Sequence, residues 1–275
     1  MALAFAKKLA VGVAATYLSL TGILYATQRQ LMYFPTNENP EPAQVGLADV
    51  SVEKLETPDG ESLTAWYAPA DIGQPTILFF QGNAGEISDR AARFSAYRAA
   101  GLGVLFVSWR GYGGSTGSPS ENGIIIDSRT AYDWLVLHGV KPDAIAVSGE
   151  SLGTGAAVRL AAETVVGALI LGAPYSSTAE VAKRQYPFLP VELLMKDQFR
   201  SIDHVAAVKA PVLIIHGTAD RVVPFALGLK LFNAVTAPKE FIALEHGDHA
   251  AISGSEALQH EVEFIRRTIV PTDTL

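Results

Sequence analysis

The chain opens with an uncharged apolar run and continues, from about residue 46, with short apolar runs that alternate with longer amphipathic segments. Such an alternation predicts strands and helices in turn, as in α/β proteins. Later runs are continuously apolar, which is typical of strands buried on both faces of a parallel sheet. These runs lie at 76–81, 103–109, 144–148, 167–172, 212–217 and 240–245.

Two further strands are expected to form an antiparallel hairpin at one edge of this sheet. The segments 49–57 and 62–68 flank the turn Pro58-Asp59-Gly60 and alternate polar with apolar residues. Helices are predicted near 88–100, 122–138, 152–164, 224–235 and 251–269. The fold class expected is therefore α/β, with a mostly parallel central sheet flanked by helices.

The N-terminal run predicts a membrane anchor. Residues 9–26 are uncharged and just long enough to span a bilayer as a helix. A cleaved secretory signal is the alternative, but no Ala-x-Ala pattern follows the run. We expect a single-pass anchor over residues 1–28, a polar linker over 29–45 and one domain over 46–275.

Charge around the anchor predicts its orientation. Lys7, Lys8 and the terminal amine outnumber Arg29 on the other side of the run. The positive-inside tendency then places the C-terminal domain on the periplasmic or exoplasmic side of the membrane.

Composition excludes several other classes of function. The net charge of −7 gives the chain no basic surface for phosphates, so nucleic acid is not an expected partner. The chain contains no cysteine, which rules out disulfides and a thiol nucleophile.

Two Gly-x-Ser-x-Gly patterns compete as nucleophile turns, one around Ser115 and one around Ser151. An apolar strand run leads into Ser151 and an Ala-rich helical segment follows it, as the strand-turn-helix geometry of such a turn requires. Thr116-Gly117-Ser118-Pro119 follows Ser115 and cannot continue directly as a helix. We therefore interpret Ser115 as structural and Ser151 as the candidate nucleophile.

A serine nucleophile needs a base that is itself oriented by a carboxylate. His249 lies in the loop after the last predicted strand and is favoured over His246 in the same loop, while His216 is interpreted as a packed residue within a strand. Asp220 follows the strand run 212–217, whereas Asp248 is too close to His249 in sequence to orient its ring. The predicted order Ser151, Asp220, His249 is that of α/β-hydrolases.

Two backbone N–H groups are expected to stabilise the developing oxyanion. One is the amide of Leu152, directly after the nucleophile, and the other is the amide of Asn83 in the loop after 76–81. As an alternative, Gln81-Gly82-Asn83 is an ordinary turn. No metal or cofactor is implied by this set of residues.

Taken together, these motifs resemble membrane-anchored α/β-hydrolase-domain serine hydrolases, the serine-aminopeptidase-like group. The similar segments are GNAGEISDR (82–90), RGYGGSTGSPSE (110–121), GESLGTGAA (149–157), YPFLP (186–190), HGTADRVVP (216–224) and GDH (247–249). The resemblance implies an α/β-hydrolase fold, and it assigns the same triad and oxyanion residues. The insertion between the strand runs 167–172 and 212–217 predicts a short helical cap at about 177–210. The chain departs from the group at Gln81, where the group usually has histidine.

The expected function is cleavage of a carboxylic ester or thioester through an acyl-enzyme on Ser151. The expected partners are a small-molecule or lipid-like acyl substrate and the membrane, while oligomeric state has no sequence signal. Two alternatives stay open. One is a peptidase of the same fold. The other is a membrane-tethered binding protein without turnover, which only the change at Gln81 supports and which an intact triad argues against.

Overall fold

A computed structural model describes residues 1–36 and 38–269. Asn37 of the predicted linker and residues 270–275 of the predicted domain lie outside the described residues. Within the described residues, eight strands form one sheet in the order β1-β2-β4-β3-β5-β6-β7-β8. The strands are β1 (Ser51–Glu56), β2 (Ser62–Ala68), β3 (Thr76–Phe80), β4 (Gly103–Val107), β5 (Ile145–Glu150), β6 (Ala168–Gly172), β7 (Val212–Gly217) and β8 (Lys239–Leu244).

The sheet is mostly parallel, as the apolar runs predict. β1 pairs antiparallel with β2, β2 pairs antiparallel with β4, and the other neighbours are parallel. Every residue of β3 to β7 is buried, which explains why their sequences read as continuous apolar runs. The predicted edge hairpin and mostly parallel sheet are confirmed.

Helices cover both faces of the sheet and create two apolar cores. α2 and α8 contribute to the core on one face, while α3, α4 and α7 contribute to the core on the other. These helices are α2 (Ala91–Ala99), α3 (Glu121–Leu137), α4 (Gly153–Glu163), α7 (Phe225–Ala234) and α8 (Ser255–Thr268). Because parallel strands share one carboxyl edge, their following loops gather at that edge, where ligands bind in open α/β sheets.

A short helical segment between β6 and β7 forms the cap. It contains α5 (Thr178–Gln185) and α6 (Val191–Leu194). The side chain of Ser177 accepts a hydrogen bond from the N–H of Glu180 and so begins α5. The cap lies within the insertion predicted at 177–210.

The N-terminal helix α1 (Ala2–Met32) is long and apolar enough to cross a membrane. Its first half is exposed, whereas its C-terminal part contacts the cap. Arg29 forms a two-pronged ion pair with the buried Asp197 at 2.7 and 3.0 Å, and Lys196 donates its backbone N–H to the side chain of Gln28 at 2.7 Å. α1 extends past the predicted end of the anchor at residue 28, and the domain boundaries remain predictions.

Candidate active site

Ser151 lies at a sharp turn between β5 and α4. Its backbone has φ 49°, in the left-handed region that residues other than glycine rarely adopt. A Cβ atom on Gly149 would lie 2.6 Å from the carbonyl oxygen of Gly153, and one on Gly153 would collide with the backbone of Phe80. Both flanking residues must therefore be glycine, and the turn is a strained strand-to-helix elbow.

The structure brings Ser151, His249 and Asp220 into one hydrogen-bonded chain. The distance from Ser151 Oγ to His249 Nε2 is 3.1 Å, and that from His249 Nδ1 to Asp220 Oδ2 is 2.7 Å. These residues come from the loops after β5, β7 and β8, which meet at the carboxyl edge of the sheet. Since an ionised carboxylate only accepts hydrogen bonds, Nδ1 carries the proton and Nε2 presents its lone pair to Ser151.

Asp220 is fixed from several sides. Its Oδ1 accepts the backbone N–H groups of Val222 and Val223 at 2.8 and 2.9 Å, and its side chain is fully buried. Burial raises the pKa of Asp220, but hydrogen bonds from His216, His249 and Val223 and the charge of His249 outweigh it. The net result is a pKa well below its ordinary value, which keeps this carboxylate ionised.

His216 contributes to the site in a way that the sequence does not reveal. It is buried in β7, as interpreted, but its Nε2 lies 3.4 Å from Asp220 Oδ2. The same Nε2 lies 3.0 Å from the carbonyl oxygen of Val223, so it must carry a proton. His216 therefore places a protonated ring nitrogen beside the acid, with the carbonyl oxygen of Val223 as its hydrogen-bond acceptor. The only sequence signal is its position four residues before Asp220.

The other candidates from the sequence lie elsewhere. His246 is exposed with a left-handed backbone, φ 60°. Asp248 accepts the N–H of Ala250 at 3.0 Å and thereby begins the short 3₁₀ turn that carries His249. The preference for His249 and Asp220 over these neighbours agrees with the distances.

Asn83 and Leu152, the predicted oxyanion donors, line the same cavity as Ser151. Leu152 stands at the N-terminus of α4, where the helix dipole favours negative charge. Its carbonyl oxygen accepts the hydroxyl of the buried Tyr175 at 2.9 Å. Tyr175, which sequence reasoning missed, therefore holds the peptide that follows Leu152.

Three contacts hold Asn83, and two of them come from the N-terminal segment. Its side chain donates to the carbonyl oxygen of Met32 at 2.8 Å, and its own carbonyl oxygen accepts the N–H of Phe34 at 2.9 Å. The hydroxyl of Tyr112 donates to that same oxygen at 2.8 Å. The end of α1 and the loop that contains Tyr112 together set the position of the loop that carries Asn83.

A buried network of charges lies beneath the nucleophile. Glu150 pairs with Arg90 at 2.6 Å and lies 4.0 Å from Arg93, while its Oε1 is 3.4 Å from the N–H of Gly82. Burial raises the pKa of Glu150, but the charges of Arg90 and Arg93 outweigh it, and the net pKa is lowered. Glu150 directly precedes Ser151, and its ionised side chain thus joins the nucleophile turn to the loop of Asn83.

Gln81 is completely buried, and its backbone carbonyl accepts Trp109 Nε1 at 3.1 Å. Among the described residues, neither polar atom of its side chain has a hydrogen-bond partner. A buried unsatisfied amide costs about 1–3 kcal/mol. The backbone of this loop is well supported even though the Gln81 side chain is not.

Ser115 belongs to a structural loop. Its Oγ donates to the carbonyl oxygen of Ser108 and accepts the N–H of Thr64, both at 2.9 Å. In the same loop Arg110 pairs with Asp59 and Asp127 at 2.7 and 2.8 Å. Both hydrogen-bonding functions of the Ser115 hydroxyl are therefore occupied.

A cavity of about 250 Å³ opens in front of Ser151. Its walls come from the last part of α1, from the cap and from Val222 and Val223. None of the described residues that line it is charged, and its surface is mainly apolar. Within residues 1–36 and 38–269, no cluster of His, Asp or Glu side chains is arranged to hold a metal ion.

The chain is similar in sequence and in fold to several known proteins. The sequence profile of the prolyl oligopeptidase family matches residues 125–270. An uncharacterized protein of Mycobacterium tuberculosis is 39% identical over 254 residues, 90% of each chain. Human alpha/beta hydrolase domain-containing protein 17B is 32% identical over 209 residues, which are 71% of this chain and 67% of that protein.

Among solved structures, an esterase of Pyrococcus furiosus superposes with a TM-score of 0.71 at 18% identity. The match covers 86% of this chain and 97% of the esterase. At this identity the likeness shows the fold alone. It confirms the α/β-hydrolase fold that the motif resemblance implies.

Proposed function

Because the chain belongs to the prolyl oligopeptidase family of α/β hydrolases, we propose that it is a serine hydrolase that cleaves carboxylic ester or thioester bonds. Ser151 is the nucleophile, His249 the general base and Asp220 the residue that orients His249. The observation that carries this proposal is the chain of contacts at 3.1 and 2.7 Å beside an uncharged, mainly apolar cavity.

In the acylation step, His249 Nε2 takes the proton of Ser151 Oγ while Oγ attacks the substrate carbonyl carbon. The carbonyl electrons move to the oxygen, and the amides of Asn83 and Leu152 stabilise the resulting negative charge. Collapse of this intermediate breaks the bond to the leaving alcohol or thiol, which receives the proton from His249. An ester between Ser151 and the acyl group remains.

In the deacylation step, the same histidine activates water. His249 takes a proton from water as its oxygen attacks the acyl carbon, and then returns the proton to Ser151 Oγ as the carboxylic acid leaves. Asp220 stays ionised throughout, since its lowered pKa keeps it an acceptor for the Nδ1 proton. It thus stabilises the imidazolium form of His249.

The N-terminal helix supports a membrane location for this activity. α1 is exposed along its first half and apolar, and two lysines precede its uncharged part. We assign it as an uncleaved anchor with the hydrolase domain on the periplasmic or exoplasmic side. Cysteine substitution in loops of the C-terminal domain, followed by a membrane-impermeant thiol reagent on intact cells, tests this orientation.

Hydrolysis by the full-length protein in detergent tests the catalytic assignment. We expect turnover of acyl esters and acyl thioesters by the wild type, with loss of turnover in Ser151→Ala and His249→Ala. His246→Ala is the matched control, because His246 lies in the same loop without a part in the chain of contacts, and it should keep wild-type rates. Equal loss in both histidine variants would contradict the assignment of the base.

A peptidase is the second candidate, since the family whose profile matches is named for oligopeptidases. Recognition of a peptide terminus requires a charge of opposite sign, and the cavity lining offers none among the described residues. Aminoacyl anilides in the same substrate panel decide between the two. Faster turnover of these amides than of acyl esters would replace the ester assignment with a peptidase.

A further inference from the structure

One face of α1 forms a wall of the cavity at Ser151. The residues that contribute are Thr21, Leu24, Tyr25, Gln28, Leu31 and Met32. Their spacing of three and four places them along one side of the helix. A role as a membrane tether does not require a helix to line the cavity in front of the candidate nucleophile.

A second groove continues from this cavity toward the N-terminus of α1. It shares Thr21, Leu24 and Leu189 with the cavity and extends along the helix to Lys8. From Lys8 to Met32 a helix spans about 36 Å, and the hydrocarbon core of a bilayer is about 30 Å thick. The groove and the cavity therefore connect the predicted membrane span with Ser151.

The tip of the cap lies beside the same span. The hydroxyl of Tyr17 donates to the carbonyl oxygen of Phe188 at 3.0 Å, and Tyr17 lies within the uncharged run 9–26. The side chains of Phe188 and Leu193 are 64% and 82% exposed. Because Phe188 contacts Tyr17, it lies at the same depth in the membrane as this residue of the predicted span. Its exposed apolar ring is suited to contact with lipid.

Contacts at the end of α1 fix this wall relative to the cap. The two-pronged pair of Arg29 with Asp197 and the two hydrogen bonds of Gln28, one to Leu194 and one from Lys196, join the helix to the cap. Asp197 also accepts the N–H of Glu121 at 3.2 Å, which ties the cap to the body. These contacts thus fix the position of the α1 wall relative to Ser151.

We infer that α1 is a wall of the acyl-binding site, and that the substrate is an ester or thioester of a long alkyl chain that reaches Ser151 from the bilayer along this groove. The inference rests on the proposed serine-hydrolase function. The uncharged lining of the cavity at Ser151 selects an alkyl chain over a charged or peptide-like group. The open groove leaves the rest of the alkyl chain beside lipid during catalysis.

Two fluorophosphonates test this site with the full-length protein in phosphatidylcholine vesicles. One carries an ethyl group and the other a hexadecyl group, and the ratio of their labelling rates reports use of the groove. We expect the hexadecyl probe to react at least tenfold faster with the wild type. Leu24→Trp fills the groove and should lower that ratio at least tenfold. Leu18→Trp, on another face of the same helix, should leave the ratio unchanged.

The outcomes separate this inference from the proposed function. If neither probe labels the wild type, the serine-hydrolase proposal fails. If the ethyl probe labels but the hexadecyl probe has no advantage, or if Leu24→Trp and Leu18→Trp change the ratio equally, α1 is not part of the acyl site.

A binding measurement gives a readout that does not need turnover. A palmitic acid with a diazirine near its methyl end is photolysed with Ser151→Ala in the same vesicles, and the modified peptides are identified by mass spectrometry. We expect crosslinks on the groove face of α1 and at 188–189, reduced at least fivefold in Leu24→Trp. Crosslinks spread evenly around α1 would overturn the inference, because lipid contact alone produces that pattern.

Discussion

The two Gly-x-Ser-x-Gly segments of this chain share a motif and differ in every contact around the serine. Ser151 has a left-handed backbone and lies 3.1 Å from an imidazole nitrogen. Ser115 has both hydrogen-bonding functions occupied by backbone groups of Thr64 and Ser108. The flanking elements, and not the motif itself, therefore determine whether the serine lies beside a base.

The loop of Ser115 nevertheless supports the candidate site. Tyr112 of that loop donates to the carbonyl oxygen of Asn83, while Arg110 fixes the loop through Asp59 and Asp127. One glycine-rich turn thus presents a serine to the cavity, and the other holds the loop that faces this serine. The copy of the motif around Ser115 thus contacts the candidate site through a neighbouring side chain, that of Tyr112.

The largest expected effect separates the two serines. Ser151→Ala should lower ester turnover by about 10⁴-fold or more, because the nucleophile is removed. Ser115→Ala should keep turnover but lower the free energy of unfolding by about 1–3 kcal/mol, since the buried N–H of Thr64 loses its acceptor. Steady-state kinetics and thermal unfolding of both variants measure this. Equal loss of turnover in the two variants would contradict the assignment of different roles to Ser151 and Ser115.

Asp220 is linked through His249 to Ser151 and has no corresponding contact with Ser115 among the described residues. Asp220→Asn should lower turnover by about 10³- to 10⁴-fold, because the amide can donate to His249 Nδ1 and favour the wrong tautomer. His216→Gln should have a smaller effect, about tenfold, since Val222 and Val223 still hold the carboxylate. Steady-state kinetics of the two variants give the order, and a larger loss in His216→Gln would reverse these roles.

The same carboxylate predicts a pH dependence of stability. The pKa of Asp220 is lower in the folded chain than its ordinary value of 3.8, so its contribution is complete above that value and declines as pH falls below it. Asp220→Asn lacks this contribution. The difference in unfolding temperature between wild type and Asp220→Asn should therefore shrink from pH 7 to pH 3, and a difference that grows would contradict the lowered pKa.

Tyr112 tests whether the Ser115 loop acts on the site. Tyr112→Phe removes one hydrogen bond worth about 1 kcal/mol, which corresponds to about a fivefold fall in kcat with KM nearly unchanged. Tyr132→Phe is the matched control, because its hydroxyl donates to the carbonyl oxygen of Val165, which lies between α4 and β6 at the opposite edge of the sheet from Ser151. If both variants lose stability and keep kcat, Tyr112 has only a structural part.

The smallest effect concerns Gln81, next to the loop that Tyr112 supports. Gln81→Met removes two buried polar atoms that lack partners among the described residues, and should stabilise the fold by about 1 kcal/mol. The expected rise in unfolding temperature is about 2–4 °C. Gln259→Met on the exposed side of α8 is the control and should change little. A fall in stability would mean that the Gln81 amide is bonded.

Local patterns predicted the sheet, and they identified candidate residues at its edge. Strands such as β5 and β7 are buried on both faces, so their sequences are continuously apolar and easy to locate. Once the strands are placed, the loops after them converge because parallel strands share a carboxyl edge. Ser151, Asp220 and His249 could therefore be chosen as candidates from their positions, their residue types and the motifs around them.

Contacts between segments that are remote in sequence could not be predicted in this way. Arg29 and Asp197 are separated by 168 residues, and Tyr112 and Asn83 by 29, so no local period links them. The apolar residues of α1 are suited to contact with lipid and equally to the lining of a cavity, and their pattern does not distinguish the two. The part of α1 in the site therefore emerged only from the packing of the helix against the cap.

Mapping a fluorophosphonate adduct on the full-length protein tests the central claim most directly. We expect one phosphonylated residue, Ser151, in the wild type and in Ser115→Ala, and no adduct in Ser151→Ala, as read by tandem mass spectrometry of the proteolytic peptides. An adduct on Ser115, or a folded wild type that takes up no probe, would contradict the claim that Ser151 is an activated nucleophile.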